Sequence, residues 1–423
     1  MLLVELIRKN PNEVKRKLAK KNFNQLGIVD EIISLDAKRK KIQTTLDEFL
    51  SQRNAISKEI GSLMHSGQKE LAESKKNEIS NIKENTLILE ADLKMVENDL
   101  FNQLVSLPNL PSDIVPEGKT PEDNVCTFVV NEIPSLPESA KPHWDLTAQY
   151  DIVDFELGVK LTGAGFPVYK GKGAILQRAL ISFFLDEAGK AGYSEVIPPL
   201  LVNEESAFAT GQLPDKEGQM YHVTEDKYYL IPTAEVPITN ILRGELLKES
   251  QLPIKYTGYT PCFRREAGSY GKDVRGLNRL HQFDKVEIVQ AQHPDKSYEA
   301  LDEMVKHVEG LLIKLELPYR ILRLCGGDMS FASALTYDFE AYSAAQKKWL
   351  EVSSVSNFET FQSNRLKLRF KNADGQNILA HTLNGSALAL PRIVACLLEN
   401  NQTPEGIKIP AALQKYTGFD MIS

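Results

Sequence analysis

Four arginines and several isolated carboxylates fall within residues 260–287, TPCFRREAGSYGKDVRGLNRLHQFDKVE, although acidic residues outnumber basic ones in the whole chain, 57 to 50. The guanidinium fork of arginine pairs with two phosphate oxygens at once. Such a cluster could therefore hold a nucleotide's phosphates, a nucleic-acid backbone, or only neighbouring acids. The P-loop and GxGxxG patterns are absent, so a nucleotide bound here would need side chains to hold its phosphates.

The same segment predicts an antiparallel hairpin of two strands around a glycine-rich loop, residues 268–271. Arg264 and Glu266 are two apart and would share one face of a strand, as would Phe283 and Glu287 on the returning strand. On such a face a cation could hold a phosphate while an acid accepts a hydrogen bond from an amine. The alternative is a surface ladder of ion pairs, which we favour for three charged residues: Arg265, Asp273 and Asp284.

The amino-acid composition is ordinary for a globular protein, with 42% hydrophobic and 25% charged residues. The 423 residues allow two or three domains. No apolar run approaches the roughly 20 residues of a membrane span, and the first residues lack the pattern of a signal peptide. The four cysteines are far apart with no CxxC, and the seven histidines include no HExxH. We therefore expect a cytoplasmic protein with no disulfide framework, no zinc site and no membrane contact.

The first hundred residues predict a helical hairpin. Apolar residues recur at three- and four-residue spacing from Ile32 to Leu63 and again from Leu71 to Leu100, around a turn at residues 65–67. This periodicity is typical of an antiparallel coiled coil, here over about residues 30–102 and roughly 45 Å long. Residues 8–41 hold eleven Lys+Arg against four Asp+Glu. The basic excess indicates a polyanionic partner at this end, or simply a solvated helix face.

The remainder of the chain predicts an α+β domain. Prolines between residues 106 and 125 mark a linker, and short strands alternate with helices from residue 126. Several strands follow each other too closely for crossover helices, so a mostly antiparallel sheet flanked by helices is expected. Strands are predicted at 125–130, 228–232, 283–289, 319–324, 349–356, 366–370 and 378–383, and helices at 174–191, 297–317 and 391–400.

Three segments together resemble the class II aminoacyl-tRNA synthetases. GYSEVIPPL (192–200) is similar to the end of the first class motif, which builds a dimer interface. The FRRE hairpin is similar to the second motif, and LNGSALALPR (383–392) to the third. Within the class, the chain most resembles seryl-tRNA synthetases of the bacterial type. This narrower resemblance is carried by TAE (233–235), HQFDKVE (281–287), EVSS (351–354) and the N-terminal hairpin.

The resemblance implies a domain organisation and a reaction. Residues 1–105 would form a tRNA-binding arm, 106–125 a linker, and 126–423 the catalytic domain of a homodimer. The enzyme would activate L-serine with ATP and Mg²⁺, then transfer serine to tRNA(Ser), with tRNA(Sec) an open second substrate. The zinc ligands of a divergent archaeal branch have no counterpart. The alternatives are a ligase for another small amino acid, which would lack the hairpin, and a non-catalytic RNA-binding homologue.

The resemblance also implies roles for individual residues. Arg264 would hold the α-phosphate, Glu266 would accept from the adenine amine, and Arg279 would reach the γ-phosphate. Phe283 and Arg392 would stack on opposite faces of the adenine. The implied catalytic residues are Arg264, Glu266 and Arg392. The implied ATP-binding residues are Arg264, Arg265, Glu266, Arg279, Leu280, Phe283, Glu351, Val352, Ser353, Ser354 and Arg392.

Three further sets of residues follow from the same resemblance. Glu351 and Ser354 would bind Mg²⁺, since that ion prefers oxygen ligands. The implied serine-binding residues are Thr233, Ala234, Glu235, Glu287, Asn384 and Ser386. The basic residues that would contact tRNA are Lys15, Arg16, Lys38, Arg39, Lys40 and Lys41.

Overall fold

The computed structural model describes residues 1–130, 133–215, 217–267 and 275–423. It divides into two compact units, one formed by residues 1–19 and 23–108 and the other by residues 20–22 and 109–423. The predicted loop at residues 268–271, and Asp273 with it, lie outside the described residues. None of the described helices is long and apolar enough to cross a membrane.

The first unit is helical. Two short helices, α1 (Val4–Lys9) and α2 (Pro11–Lys20), precede two 38-residue helices, α3 (Ile28–His65) and α4 (Lys69–Ser106). The predicted hairpin is confirmed, because a three-residue turn joins α3 to α4 and the two helices pack along each other. At 1.5 Å per residue each helix is about 57 Å long, more than predicted, since helix extends beyond the apolar runs at both ends.

The seam of the hairpin buries most of the predicted apolar positions at least partly. Ile32, Leu46 and Ile56 of α3 are buried, as are Ile82 and Val96 of α4. One predicted seam position is wrong: the side chain of Leu71 is exposed, and the neighbouring Ala72 is buried instead. The apolar pattern alone does not distinguish these two positions, because Leu71 and Ala72 are both apolar.

The second unit is built on an eight-stranded sheet. In chain order the strands are β1 (Val125–Val129), β2 (Ser194–Glu195), β3 (Ile254–Phe263), β4 (Gln282–Gln292), β5 (Tyr319–Arg323), β6 (Leu335–Ser343), β7 (Lys348–Glu359) and β8 (His381–Ala389). Their order across the sheet is β1-β5-β6-β7-β8-β4-β3-β2. Among the described strands of this sheet, only the β2–β3 pair is parallel. The predicted α+β class with a mostly antiparallel sheet is therefore confirmed.

Helices and small sheets surround this main sheet. The helices are α5 (His143–Gln149), α6 (Phe155–Leu161), α7 (Gly171–Lys190), α8 (Glu204–Thr210), α9 (Glu235–Asn240), α10 (Ser297–Lys314), α11 (Thr360–Leu366), α12 (Leu390–Asn400) and α13 (Ala411–Thr417). The small sheets contain Val153–Asp154 and Val168–Tyr169; Leu201–Val202, His222–Val223 and Tyr228–Leu230; Leu246–Lys248, Arg369–Lys371 and Asn377–Leu379; and Gln402–Thr403, Gly406–Lys408 and Met421–Ile422. Helices α7, α10 and α12 contribute to the main core, together with Val286 and Ile288 of β4.

Two predicted strands in this unit are partly wrong, and one observed strand was missed. Residues 378–383 were predicted as one strand, whereas Asn377–Leu379 belongs to a small sheet and His381–Ala389 to the main sheet. Residues 366–370 were predicted as one strand, whereas α11 runs to Leu366 and only Arg369–Lys371 is strand. Strand β6 was not predicted at all. A short apolar run does not distinguish helix from strand, and the acids Asp338 and Glu340 obscure the alternation of β6.

Candidate active site

A cavity of about 660 Å³ lies in the second unit, where β4, β7 and β8 meet the N-terminus of α12. It is also lined by parts of residues 210–220, 277–280 and 330–332. All but two of the ATP- and serine-binding residues implied by the sequence line it. The exceptions are Arg265, which is exposed, and Ala234, which is fully buried beside Ile238 and Val289. Arg265 therefore fits the solvent-facing interpretation better than the ATP-binding one.

The floor of the cavity comes from the alternation of strand β4. Phe283, Lys285 and Glu287 share one face because successive side chains point to opposite faces of a strand. The intervening Val286 enters the hydrophobic core. Ser386 of β8 stands directly opposite Glu287 in the antiparallel ladder, so their side chains share that face.

Three polar side chains form a buried cluster on this floor. The Lys285 ammonium lies 2.5 Å from a carboxylate oxygen of Glu287 and donates to the Thr233 hydroxyl at 2.8 Å. The Thr233 hydroxyl in turn donates to Glu287 at 3.2 Å. Lys285 was missing from the residues implied by the sequence. The signal that could have found it is its position on β4, two residues from both Phe283 and Glu287.

Glu235 adds a second buried carboxylate beside this cluster. The Gln362 amide donates a hydrogen bond to it at 2.6 Å. The Thr382 hydroxyl in turn donates to the Gln362 carbonyl oxygen at 2.7 Å. Burial, and then the charge of Glu287, raise the pKa of Glu235 to about 7. The amide of Asn384 interacts with Glu235, but in the described ranges its buried nitrogen has no hydrogen bond of ordinary length. The ammonium group of a ligand could donate to the Glu235 carboxylate, whereas the Asn384 amide nitrogen needs an acceptor such as a ligand oxygen.

The aromatic and arginine side chains lie at the other end of the cavity floor. The guanidinium of Arg264 stands over the Phe283 ring at 5.2 Å from its centre and donates to the Pro232 carbonyl at 3.3 Å. The prediction that Arg264 and Glu266 are strand neighbours is wrong. Strand β3 ends at Phe263, and Glu266 adopts a left-handed backbone with φ of 51°. Both side chains line the cavity all the same.

Two further arginines near the aromatic ring are bound by acceptors of the protein itself. Arg279 forms an ion pair with Glu266 at 2.6 Å. Arg392, near the start of α12, donates to the Asn278 carbonyl at 3.0 Å and to the Glu351 carbonyl at 2.7 Å. These arginines occupy protein acceptors that anionic oxygens of a ligand could replace.

Oxygen ligands suited to a hard cation are present on β7. Glu351 and Ser354 both line the cavity, and Asp338 of β6 pairs with Ser354 across the ladder. Burial and the charge of Glu351 raise the pKa of Asp338 well above its ordinary value, and one of its buried oxygens has no hydrogen-bond partner in the described ranges. A carboxylate and a hydroxyl, with a second carboxyl group behind them, fit Mg²⁺. Among the described residues, no group of three or more His, Cys, Asp or Glu side chains could hold a metal ion.

In the first unit, four of the six basic residues assigned to tRNA contact acids of the same unit. Lys15 pairs with Asp30 at 2.7 Å and Arg16 with Glu13 at 2.6 Å. Arg39 and Lys40 both contact the buried Asp36, at 3.0 and 3.1 Å. The remaining two, Lys38 and Lys41, are exposed on α3.

Comparison with known proteins identifies the family. A family model described as the seryl-tRNA synthetase N-terminal domain matches residues 1–111, and one for the class II tRNA synthetase core domain (G, H, P, S and T) matches residues 220–401. The serine–tRNA ligase of Salinibacter ruber is 48% identical over 100% of this chain and 99% of its own length. The chain belongs to the seryl-tRNA synthetase family. The ligase of Chlorobaculum parvum, 45% identical over the full length of both chains, gives the same result.

Solved structures agree with this family membership. The crystal structure of seryl-tRNA synthetase from Pyrococcus horikoshii complexed with ATP has a TM-score of 0.93 and 34% identity, and covers 100% of this chain and 99% of that one. The cytoplasmic serine–tRNA ligase from Naegleria fowleri in complex with AMP has a TM-score of 0.88 and 27% identity, with the same coverage. As a member of the seryl-tRNA synthetase family, the chain is an aminoacyl-tRNA ligase.

Proposed function

We propose that this member of the seryl-tRNA synthetase family activates L-serine with ATP and transfers it to the 3′ end of tRNA(Ser). The observation that supports the proposal best is the polarity of the cavity. One end is a buried cluster of Thr233, Glu235, Lys285 and Glu287, sized and charged for a small amino acid. The other end is an aromatic ring with arginines around it, suited to a nucleotide.

The first step requires no nucleophile from the protein. The carboxylate of serine attacks the α-phosphorus of ATP, a bond forms between that oxygen and phosphorus, and pyrophosphate leaves. Arg264 neutralises charge on the α-phosphate while Arg279 exchanges Glu266 for the γ-phosphate. Glu266 then accepts from the adenine amine, and the adenine lies between Phe283 and Arg392. Catalysis is alignment and charge neutralisation. In the second step a terminal ribose hydroxyl of the tRNA attacks the seryl carbonyl, and AMP leaves.

Glu351 and Ser354 would hold Mg²⁺ in this reaction. When bound, the ion would supply positive charge that offsets the negative charge of the phosphates. The chain's own contribution is to keep the two oxygen ligands on one strand. Val352 and Ser353 lie between them, and the Ser353 hydroxyl donates to the Ser386 carbonyl at 2.5 Å, which ties this strand to the serine pocket.

Selection of serine would rest on both hydrogen bonds and space. Glu235 and Thr233 receive the ammonium group, with Ala234 shaping the backbone between them. Glu287, Ser386 and Asn384 meet the side-chain hydroxyl. Alanine and glycine would leave buried polar atoms without partners. Threonine would add a methyl group to a floor already filled by the Lys285–Glu287 pair.

The helical hairpin would serve the tRNA. We assign residues 1–105 to a tRNA-binding arm, 106–125 to a linker and 126–423 to the catalytic domain. The basic residues Lys15, Arg16, Lys38, Arg39, Lys40 and Lys41 suit contacts with an RNA backbone, which weaken as salt rises. We also propose a homodimer and a cytoplasmic location, with tRNA(Sec) as a further substrate to be tested beside tRNA(Ser).

Serine-dependent ATP–pyrophosphate exchange tests the proposal directly. Exchange is expected with serine, with far lower activity for threonine, alanine and glycine, and serine should then be transferred to tRNA(Ser). Equal exchange with another small amino acid would favour a ligase of different specificity. Tight RNA binding without any exchange would instead favour a non-catalytic homologue.

A further inference from the structure

A buried histidine outside the cavity lining contacts the segment that carries Arg279. His143, the first residue of α5, is fully buried. Its Nδ1 lies 2.7 Å from a carboxylate oxygen of Glu399, near the end of α12. Its Nε2 accepts a hydrogen bond from the backbone N–H of Leu277 at 2.8 Å. Because a backbone N–H can only donate, Nε2 must be the unprotonated nitrogen and Nδ1 the donor to Glu399.

The position of Glu399 is electrostatically unfavourable for a charged side chain. It is a fully buried carboxylate in the last turn of a helix, where the macrodipole disfavours negative charge. Donors compensate for this. The His143 backbone N–H and the Gln346 amide both donate at 2.9 Å, and the Ser343 hydroxyl donates as well. Burial alone would raise the pKa of Glu399, but these hydrogen bonds hold it below its ordinary value.

The segment held by His143 is part of the nucleotide end of the cavity. Leu277, Asn278, Arg279 and Leu280 all line it. Helix α12 reaches this segment at two points seven residues apart. Arg392 contacts the Asn278 carbonyl directly at 3.0 Å, and Glu399 acts through His143 on the Leu277 N–H.

The backbone next to Leu277 is shaped around the imidazole. Gly276 has φ of 66°, a left-handed conformation that disfavours other residues. A Cβ atom at Gly276 would lie 2.3 Å from His143 Nε2, so any side chain there would displace the ring. The adjacent Arg275 stacks on the Trp144 ring of α5, with its guanidinium 4.6 Å from the ring centre. Three consecutive residues, 275–277, therefore pack against or hydrogen-bond to the first two residues of helix α5.

We infer that His143, oriented by Glu399, is a positioning residue for ATP: it fixes the backbone at Leu277 so that Arg279 and Leu280 meet the nucleotide. The inference rests on the proposed function only in taking ATP as the nucleotide. His143 contacts neither substrate nor reacting atoms, and its effect is confined to the affinity of the cavity for ATP.

Two amide substitutions, each of which mimics one nitrogen of the imidazole ring, test its two hydrogen bonds separately. His143→Asn places an amide near Nδ1, which keeps the Glu399 contact but leaves the buried Leu277 N–H without an acceptor. His143→Gln places an amide near Nε2, which keeps an acceptor for Leu277. We expect His143→Asn to raise KM for ATP roughly 5- to 50-fold, the usual effect of one unsatisfied buried donor. KM for serine and kcat should stay within about twofold, and His143→Gln within about threefold of the wild type throughout.

Further measurements keep the test decisive if one variant folds poorly. Gly276→Ala should reproduce the ATP-specific defect while sparing Glu399, and His307→Asn, a matched change on α10, should alter nothing.

NMR of ¹⁵N-histidine-labelled full chain, with His143→Gln for assignment, should show the Nδ1–H tautomer. A proton on Nε2, or equal losses for ATP and serine, would overturn the inference. If the wild type bound Mg-ATP in calorimetry without serine-dependent exchange, the proposed function would fail, yet the ATP Kd of His143→Asn would still test His143.

Discussion

The ammonium of Lys285 lies 2.5 Å from the carboxylate of Glu287, and both side chains are more than nine-tenths buried on the cavity floor. A buried ion pair is costly to desolvate, so it contributes little to stability compared with apolar residues of the same volume. Its location in the buried cluster at the amino-acid end of the cavity gives it a different use. It places one positive and one negative group where a carboxylate and a hydroxyl of serine would meet the nucleotide.

Replacing Lys285 by methionine should therefore lower activity by more than the loss of stability alone would explain. We expect serine-dependent exchange to fall by roughly two orders of magnitude, since charge stabilisation within a closed site is lost. The free energy of unfolding should fall by about 3 kcal/mol, because Glu287 is left buried without its partner. Chemical denaturation and exchange kinetics measure the two effects separately.

The double variant Lys285→Met/Glu287→Gln distinguishes the two effects. It removes both charges, so stability should return toward that of the wild type while exchange stays low. Lys296→Met, which breaks an exposed pair with Glu299, serves as the control with little effect on either. Recovery of exchange in the double variant would show that the pair is only structural.

The raised pKa of Glu235 predicts a pH dependence of stability. The pKa of this carboxyl is about 7 in the folded chain and close to the ordinary value of about 4.3 in the unfolded chain. The unfolded state therefore loses its proton first, and the free energy of unfolding falls as pH rises from about 4.3 to about 7. Glu235→Gln should abolish this part of the pH profile and be more stable than the wild type by about 1–3 kcal/mol at pH 8.

The same substitution should impair serine binding. An ionised Glu235 attracts the ammonium group of serine, so KM for serine in the wild type should fall as pH rises through about 7. In Glu235→Gln, KM for serine should be higher and flat over this range, while KM for ATP is unchanged. A variant with the wild-type pH profile of KM would exclude Glu235 from the serine pocket.

The ion pair between Arg279 and Glu266 predicts a difference between ATP and AMP. If Arg279 leaves Glu266 for the γ-phosphate, Arg279→Ala should weaken ATP binding about tenfold, the loss of one charge-assisted contact, and leave AMP binding unchanged. Glu266→Gln should weaken both nucleotides alike, because the adenine amine is common to them. Calorimetric Kd values for the two nucleotides test this, and equal weakening of AMP by Arg279→Ala would contradict the assignment.

The hairpin predicts a separation of the two half-reactions. Replacing residues 30–102 by a short flexible link should leave pyrophosphate exchange intact and abolish charging of tRNA. Lys38→Ala/Lys41→Ala should weaken tRNA binding and lower the slope of log Kd against log salt by about 2 if both lysines contact phosphate. Lys15→Ala/Arg16→Ala is the matched control with a smaller effect, because intramolecular acids already contact these two residues. Charging by the shortened chain would remove the hairpin from tRNA recognition.

Much of this structure could be predicted from the sequence, because helices, strands and motifs are set by residues close together in the chain. Heptad spacing predicted the hairpin of α3 and α4, and period-two alternation predicted that Phe283 and Glu287 share a face. Motif order carried the family, which full-length relatives then established. Local patterns also misled: the strand predicted at residues 366–370 is in part helix α11.

The tertiary structure decided what depends on neighbours distant in the chain. It placed Lys285 against Thr233 of another segment, and it removed Arg265 and Ala234 from the cavity lining. It also joined His143 to Glu399, 256 residues apart, behind the segment that carries Arg279. The physical reason is that burial and partner choice set the charge state and orientation of a polar side chain, and both depend on the whole fold. The sequence alone determined which residue types alternate on each strand; packing determined which of them meet.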